Sequence, residues 1–337
     1  MSYNYDNLIS LCPACCHDTP AGYEFRPEGV FLVGKCSEHG PYETMVERDP
    51  ISFRWGYEQD YVKPFHHFSF PVTYRCNLNC KYCYSMSNCG LSLPPDRPLE
   101  MLLQVLEGYR GNVTFIGGEP TMRDDLFELV ESAGRMPNIN KISVASNGQK
   151  LRDREFVGKL KDSGVDFVYL SLNDTEYDRA SAVTMNKLAA LRNLHEMRVP
   201  VWLQGTIDSP RQLDSFIAAL EEYRKIIFSV TLRAVKPLGI RAPERDIFVS
   251  DIIGHLGVAK DLRRGTTPFN RFVRIHGTQV KICSWVFDMG RVDPLDSDYI
   301  LSDDTITTFH RGTRKDELLL RRYASGQPGV LSAESAH

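Results

Sequence analysis

The chain has 337 residues, 42% of them hydrophobic and 25% charged, with a formal net charge of −3. That length suits one large barrel-type domain plus an appendage, or two ordinary domains. The near-neutral balance gives no electrostatic reason to expect nucleic acid or an anionic membrane as the main partner. No apolar run approaches the roughly 18 residues of a membrane span, and the opening Met-Ser-Tyr-Asn-Tyr-Asp lacks the regions of a signal peptide. The expected location is therefore cytoplasmic, where nine cysteines read as metal ligands or free thiols rather than disulfides.

The first 64 residues carry Cys12-Pro-Ala-Cys15-Cys16-His17 and then Cys36-Ser-Glu-His39-Gly40, with a strand-like span at Gly22–Gly34 between them. Two such knuckles read as a tetrahedral site for zinc or mononuclear iron, built from Cys12, Cys15, Cys36 and His39. Cys16 or His17 can stand in for one of these. The bland alternative is unliganded thiols and a surface histidine. So small a module has little core of its own, so a metal staple makes physical sense. It carries few basic residues, which favours docking on the rest of the chain over binding nucleic acid.

From about residue 65 to 270, short apolar runs alternate with amphipathic stretches. Strands are predicted at Phe68–Tyr74, Asn112–Ile116, Lys141–Ala145, Phe167–Leu172, Val201–Ile207 and Phe228–Val235. Helices are predicted at Leu99–Tyr109, Asp125–Arg135, Asp153–Ser163, Asn186–Arg198, Leu213–Tyr223 and Ser250–Arg264. This alternation argues for an α/β fold with parallel strands, in six units rather than the eight of a closed barrel. Chemistry in such folds gathers where strands end. Cys76-x3-Cys80-x2-Cys83 follows the first strand, Gly117-Gly118-Glu119-Pro120 the second, Ser146-Asn147-Gly148 the third, and Asn173-Asp174 the fourth. Three thiolates on one tight loop can hold a [4Fe–4S] cube with one iron left open, whereas zinc wants four ligands. Side chains two apart share a face of a strand. Tyr169, Ser171 and Asn173, then Trp202, Gln204 and Thr206, then Ser229, Thr231 and Arg233 therefore predict a wet, polar interior suited to a polar substrate.

The C-terminal part, 271–337, reads as a hairpin over 271–287 turning at Gly277-Thr278. An acidic loop (Asp288, Asp293, Asp296, Asp298, Asp303, Asp304), a basic helix from about Arg314 to Tyr323 and a frayed tail follow. The expectation is that hairpin and helix close the open side of the barrel. Cys283 is either a buried thiol or a hydrogen-atom donor to a substrate radical, and Cys89 reads as packing.

The Cys76–Cys83 loop and the Gly-Gly-Glu-Pro turn one unit later resemble the radical S-adenosylmethionine (SAM) superfamily, and Tyr82 fills the aromatic place before its third cysteine. The resemblance implies a partial (β/α)6 TIM-like barrel. It also implies a [4Fe–4S] cluster on Cys76, Cys80 and Cys83, with SAM chelating the open iron. Cofactor contacts implied are Gly117, Gly118, Glu119 and Pro120 at the methionine amino group, and Ser146 and Asn147 in the next turn. Ser171 and Asn173 lie near the ribose or carboxylate, Gln204 on the same wall, and Arg233 is placed to pair with the carboxylate. It implies reductive cleavage of SAM to a 5′-deoxyadenosyl radical that removes hydrogen from an unactivated C–H bond. An electron donor such as flavodoxin or ferredoxin would supply the electron.

The N-terminal module before such a barrel is similar to the archaeal tetraether lipid synthases and pterin-methylating enzymes. With Cys283 alone in the C-terminal part, a further cluster of about four cysteines is excluded, and this departure argues against lipid coupling and methylene transfer. The leading expectation is hydrogen abstraction from a polar small molecule or peptide. The alternatives are C–C coupling or methyl(ene) transfer on a lipid or pterin, and a non-catalytic metal-binding protein.

Overall fold

The computed structural model describes residues 5–11, 18–58, 67–80, 95–172, 181–235, 247–264, 270–283, 298–300 and 306–308. Four antiparallel strands in sequential order open the chain: β1 (Leu8–Leu11), β2 (Asp18–Arg26), β3 (Gly29–Cys36) and β4 (Gly40–Glu47). The expected single span at Gly22–Gly34 is in fact a hairpin. Pro27 and Glu28 break it, and Gly29 takes φ 152°, a value that side chains disfavour. Helix α1 (Pro50–Tyr57) starts where the Asp49 side chain accepts from the Ile51 N–H and Pro50 presets φ. Its Phe53 and Tyr57 close a small aromatic core with Tyr23, Val30, Leu32 and Val46. Phe53 meets Tyr23 edge-on at 4.8 Å between ring centres.

The second sheet carries the six expected units as β5 (His67–Thr73), β6 (Gly111–Gly117), β7 (Ile139–Ser146), β8 (Phe167–Ser171), β9 (Val201–Ile207) and β10 (Ile227–Ala234). Each pairs in parallel with the next. Helices α2 (Leu99–Glu107), α3 (Leu126–Gly134), α4 (Arg154–Asp162), α5 (Ala182–Glu196), α6 (Pro210–Tyr223) and α7 (Val249–Leu256) alternate with them. Val144, Val168, Leu170, Leu203, Val230 and Leu232 on one strand parity are buried in a continuous core with the helices. The opposite parity is left to line the inner face. Among the described residues no helix is long and apolar enough to cross a membrane.

Local chemistry accounts for the departures. Helix α7 stops at Leu256, short of Arg264, because Gly257 turns left-handed (φ 66°). Arg263–Arg264 is instead strand β11. Helix α5 starts four residues before Asn186, at Ala182. The C-terminal hairpin, β12 (Asn270–Ile275) and β13 (Thr278–Cys283), turns at His276–Gly277 rather than Gly277–Thr278. Both turn residues have positive φ, 49° and 83°, as a primed two-residue turn requires. Strand β13 runs parallel to β10 and extends the sheet. At the other edge β14 (Asp298–Ile300) pairs in parallel with β5 and antiparallel with β15 (Ile306–Thr308). The order is β11-β12-β13-β10-β9-β8-β7-β6-β5-β14-β15, so the sheet is open, with β11 and β15 at its edges. The predicted basic helix and tail lie outside the described residues, as does the acidic loop apart from Asp298.

The two sheets meet through α1, α7 and β12. Arg48 pairs with Asp251 at 2.8 Å and lies over the Phe248 ring. Buried Glu47 accepts from the Arg48 N–H (2.8 Å), the Ser250 N–H (3.3 Å) and the Ser250 hydroxyl. Arg271, 1% exposed, donates to the Ser52 carbonyl and hydroxyl and covers the Trp55 ring. Burial lowers its pKa to about 10, and the charge of Glu47 opposes that fall. Glu47→Ala removes an acceptor from several donors and a counter-charge from Arg271. It should cost about 2–4 kcal/mol, read as a lower urea midpoint, while Ser250→Ala should cost about 1 kcal/mol.

Candidate active site

The cluster loop leaves β5 at Thr73, and its first turn is fixed by side chains on either side. The Thr73 hydroxyl donates to Asp96 at 2.6 Å, and the Arg75 guanidinium makes two bonds to the other oxygen of that carboxylate, at 3.0 and 2.7 Å. Cys76 and Cys80 are half-buried on this loop. Cys83, Tyr82 and Cys89 lie outside the described residues. The Cys76 sulfur is approached by the Leu78 N–H (3.5 Å) and the Asn147 side-chain amide (3.8 Å). Donors aimed at sulfur are what a ligated thiolate takes and what tunes a cluster, so these residues fit the group.

Gly117 ends β6 pressed against the cluster strand. A Cβ there would lie 2.0 Å from the Thr73 carbonyl oxygen, and its φ of 149° suits only glycine. The Gly118 N–H donates to Thr73 (2.8 Å) and the Glu119 N–H to the Arg75 carbonyl (2.8 Å), so the turn is laced to the cluster loop. Pro120 opens a short 3-10 turn.

Glu119 is 1% exposed. One oxygen accepts from the Thr121 N–H (3.2 Å), the Thr121 hydroxyl (2.6 Å) and the Ser146 hydroxyl (2.9 Å). The other accepts from the Asn147 N–H (2.6 Å). Burial raises its pKa, and these donors pull it back. The carboxylate is thus spent on the chain itself, and the half-buried Gly118 is the part of the turn left partly accessible. Ser146 is similarly committed, since its hydroxyl also accepts the Gly148 N–H at 3.0 Å. Asn147 is half-buried and reaches the cluster loop, donating to Asn77 at 2.8 Å. Below the turn, Arg123 donates to the Val72 carbonyl (2.9 Å) and the Arg97 carbonyl (2.7 Å), pinning the end of β5.

Strand register sets the inner wall. Ser171, Gln204 and Thr231 share one rung, and Thr206, Arg233 and Cys283 the next. Asn173 lies outside the described residues. The lower wall departs from the polar expectation: Phe167, Tyr169, Trp202 and Phe228 form a ring cluster with centre separations of 5.0–5.7 Å for four of their contacts. The Trp202 indole N–H donates to Thr231 at 2.9 Å. Burial pushes the Tyr169 phenol pKa up, and the charge of Arg233 opposes this. The interior therefore has an aromatic floor and a polar mouth. Cys283 is 4% exposed on the mouth side, opposite Arg233.

In the first sheet, the Cys36 sulfur and His39 Nδ1 are 3.6 Å apart. Two ligands on one tetrahedral zinc, with bonds of about 2.3 and 2.0 Å, lie about 3.5 Å apart. The Glu38 N–H also donates to the Cys36 sulfur at 3.4 Å. Cys12, Cys15, Cys16 and His17 lie outside the described residues. The flanking Leu11 and Asp18 are at the same end of the sheet as Cys36.

Thr121, Asp96, Arg75 and Arg123 were not singled out from sequence. Thr121 and Arg123 immediately follow the Gly-Gly-Glu-Pro turn, and Arg75 precedes Cys76, which is a local signal. Nothing local points from Arg75 to Asp96.

Comparison with known proteins agrees with this geometry. Residues 70–221 match the model of the radical SAM superfamily, and residues 4–48 match the HMPTM N-terminal zinc ribbon domain. The chain thus carries a radical SAM domain, which implies a [4Fe–4S] cluster and SAM. Ahead of it stands a zinc ribbon, which supports zinc over iron in the first site. The GTP 3′,8-cyclase of Synechococcus elongatus is 31% identical over 173 residues, covering 46% of this chain and 51% of that protein. The 7,8-dihydro-6-hydroxymethylpterin dimethyltransferase of Methanocaldococcus jannaschii is 28% identical over 198 residues, covering 49% and 38%. This chain therefore spans about half or less of the curated relatives it matches. The structure of Streptococcus suis SuiB bound to S-adenosylmethionine overlaps 72% of this chain and 68% of its own, at 13% identity and a TM-score of 0.45.

Gly117→Ala should cost about 2–6 kcal/mol, from backbone strain and the clash with Thr73. Glu119→Gln puts an amide N–H against protein donors and should cost about 1–3 kcal/mol. Both are read as loss of melting temperature in the apo protein, and an unchanged midpoint would show the turn to be loose.

Proposed function

We propose that the chain is a radical SAM enzyme acting on a polar small molecule. Cys76, Cys80 and Cys83 would hold the cluster, and the cluster with SAM would supply one-electron cleavage to a deoxyadenosyl radical that removes hydrogen from a substrate C–H bond. The observation that carries the reading is the lacing of Gly117–Glu119 to the cluster strand beside Cys76. It sets the half-buried Gly118 backbone next to the place where an open iron would sit.

The chain's own residues then divide the work. With the Glu119 carboxylate occupied and its carbonyl taken by the Met122 N–H, the half-buried Gly118 backbone receives the SAM ammonium. Asn147 orients the cluster loop. Ser171 and Gln204 face the ribose side, and Arg233 takes the SAM carboxylate as a bidentate donor. The aromatic floor of Phe167, Tyr169 and Trp202 excludes water from below. Cys283, level with Arg233, would return a hydrogen atom in this reading. The division into a ribbon at 1–64, a barrel at 65–270 and a C-terminal extension follows the same reading, and flavodoxin or ferredoxin is its electron donor.

A second reading has specific support. The ribbon model is described as that of HMPTM, and a matched relative is a pterin dimethyltransferase, so methyl transfer to a pterin is the alternative. The names of both relatives denote polar substrates, GTP and a hydroxymethylpterin, which weighs against a lipid.

Anaerobically reconstituted, dithionite-reduced protein should release 5′-deoxyadenosine from SAM. Changing Cys76, Cys80 and Cys83 together to Ala should abolish both this and the visible iron–sulfur absorbance. Intact absorbance in that variant removes the cluster assignment. Metal analysis of Cys36→Ala should show the loss of one zinc.

A further inference from the structure

Register continues the inner wall beyond β10. Thr231 pairs with Lys281 on β13, Lys281 with Phe272 on β12, and Phe272 with Arg263 on β11. Residues directly paired across strands share a face, so Lys281 and Arg263 stand on the same inner face as Gln204 and Thr231. They flank Phe272, two strands apart, with Cα atoms about 10 Å from each other. Arg233 lies one rung nearer the cluster end, and Arg274 one rung below. No inward position on β8–β13 among the described residues is a carboxylate. Lys281 is half-buried and Arg263 exposed, and no side-chain hydrogen bond or ion pair joins either of them to another of the described residues. Lysines are seldom buried without a partner, because desolvating the ammonium is costly. Here that partner is absent from the wall itself.

We infer that Lys281 and Arg263 anchor a phosphoryl group of the substrate. This deepens the reading of a radical SAM enzyme on a polar small molecule and rests on it. Two long cationic side chains rooted about 10 Å apart can converge on one polyanionic group. One carboxylate would need only one of them. Phe272 between them gives the group an apolar backing that strengthens both charge-assisted bonds. An anion held here leaves the rest of the substrate extending past Thr231 and Gln204 toward the rung of Arg233 and Cys283, which is the end where the cluster loop lies.

The test uses pyrophosphate as probe, followed by isothermal titration calorimetry on the reconstituted full chain with SAM present to occupy Arg233. Wild type should bind, Lys281→Gln and Arg263→Gln should each weaken binding about tenfold, and Lys281→Arg should restore most of it. Lys159→Gln, on the outer surface, should bind as wild type does. Citrate should compete poorly. Absence of pyrophosphate binding, equal affinity in wild type and both Gln variants, or tighter binding of citrate would overturn the assignment. Pyrophosphate binding with no SAM cleavage would sink the enzymatic reading and leave the anion site standing.

Discussion

A buried carboxylate holds the mouth of this barrel together. Glu119 leaves β6 and takes donors from its own turn and from the turn after β7. Two loops that belong to different βα units thereby become one rigid piece. Burial raises the carboxyl's pKa despite the donors, so removing one donor leaves an expensive group in place. The same turn is tied through Gly117 and Gly118 to Thr73, and Thr73 is tied to Asp96, which also holds Arg75. The cluster cysteines thus begin from a point fixed on three sides. A metal centre with an open position needs this, because its ligands must be in place before the last ligand arrives.

Much of this was legible because the informative residues are contiguous. Cys76, Cys80 and Cys83 announce their chemistry by spacing alone, and strands β5 to β10 by alternation with helices of matching length. Strand β9 ends where its pattern ends, at Val201 and Ile207. The clasp was not legible. Ser146 and Asn147 lie 27 and 28 residues from Glu119, and sequence suggested that all three faced a cofactor. Only the fold shows that two of them face each other.

The C-terminal edge shows the opposite limit. A helix pattern running through Arg264 is overruled by one left-handed glycine, Gly257, and the freed segment supplies β11. A hairpin shifted by one residue, with its turn at His276–Gly277, moves the cross-strand partner of every β13 residue by two positions along β12, so that Lys281 meets Phe272 rather than Arg274. Periodicity cannot fix such a register from one sequence, so the inward placement of Lys281 and Arg263 could be seen only with the strands paired.

The first sheet has a role beyond its metal. Its core is a few aromatic rings and aliphatic side chains, too little to be secure alone, and it gains support through Glu47, Arg48 and α1 against α7 and β12. Those are the elements that flank the cationic wall: Arg271, held by Ser52, is next in sequence to Phe272, which separates Lys281 from Arg263. Alternation along β12 sends Arg271 to the outer face and Phe272 to the inner one. Docking of the ribbon therefore braces, from behind, the strand that carries the apolar part of the anion site. Loss of the metal would be felt first at that strand, because Ser52 holds it through Arg271.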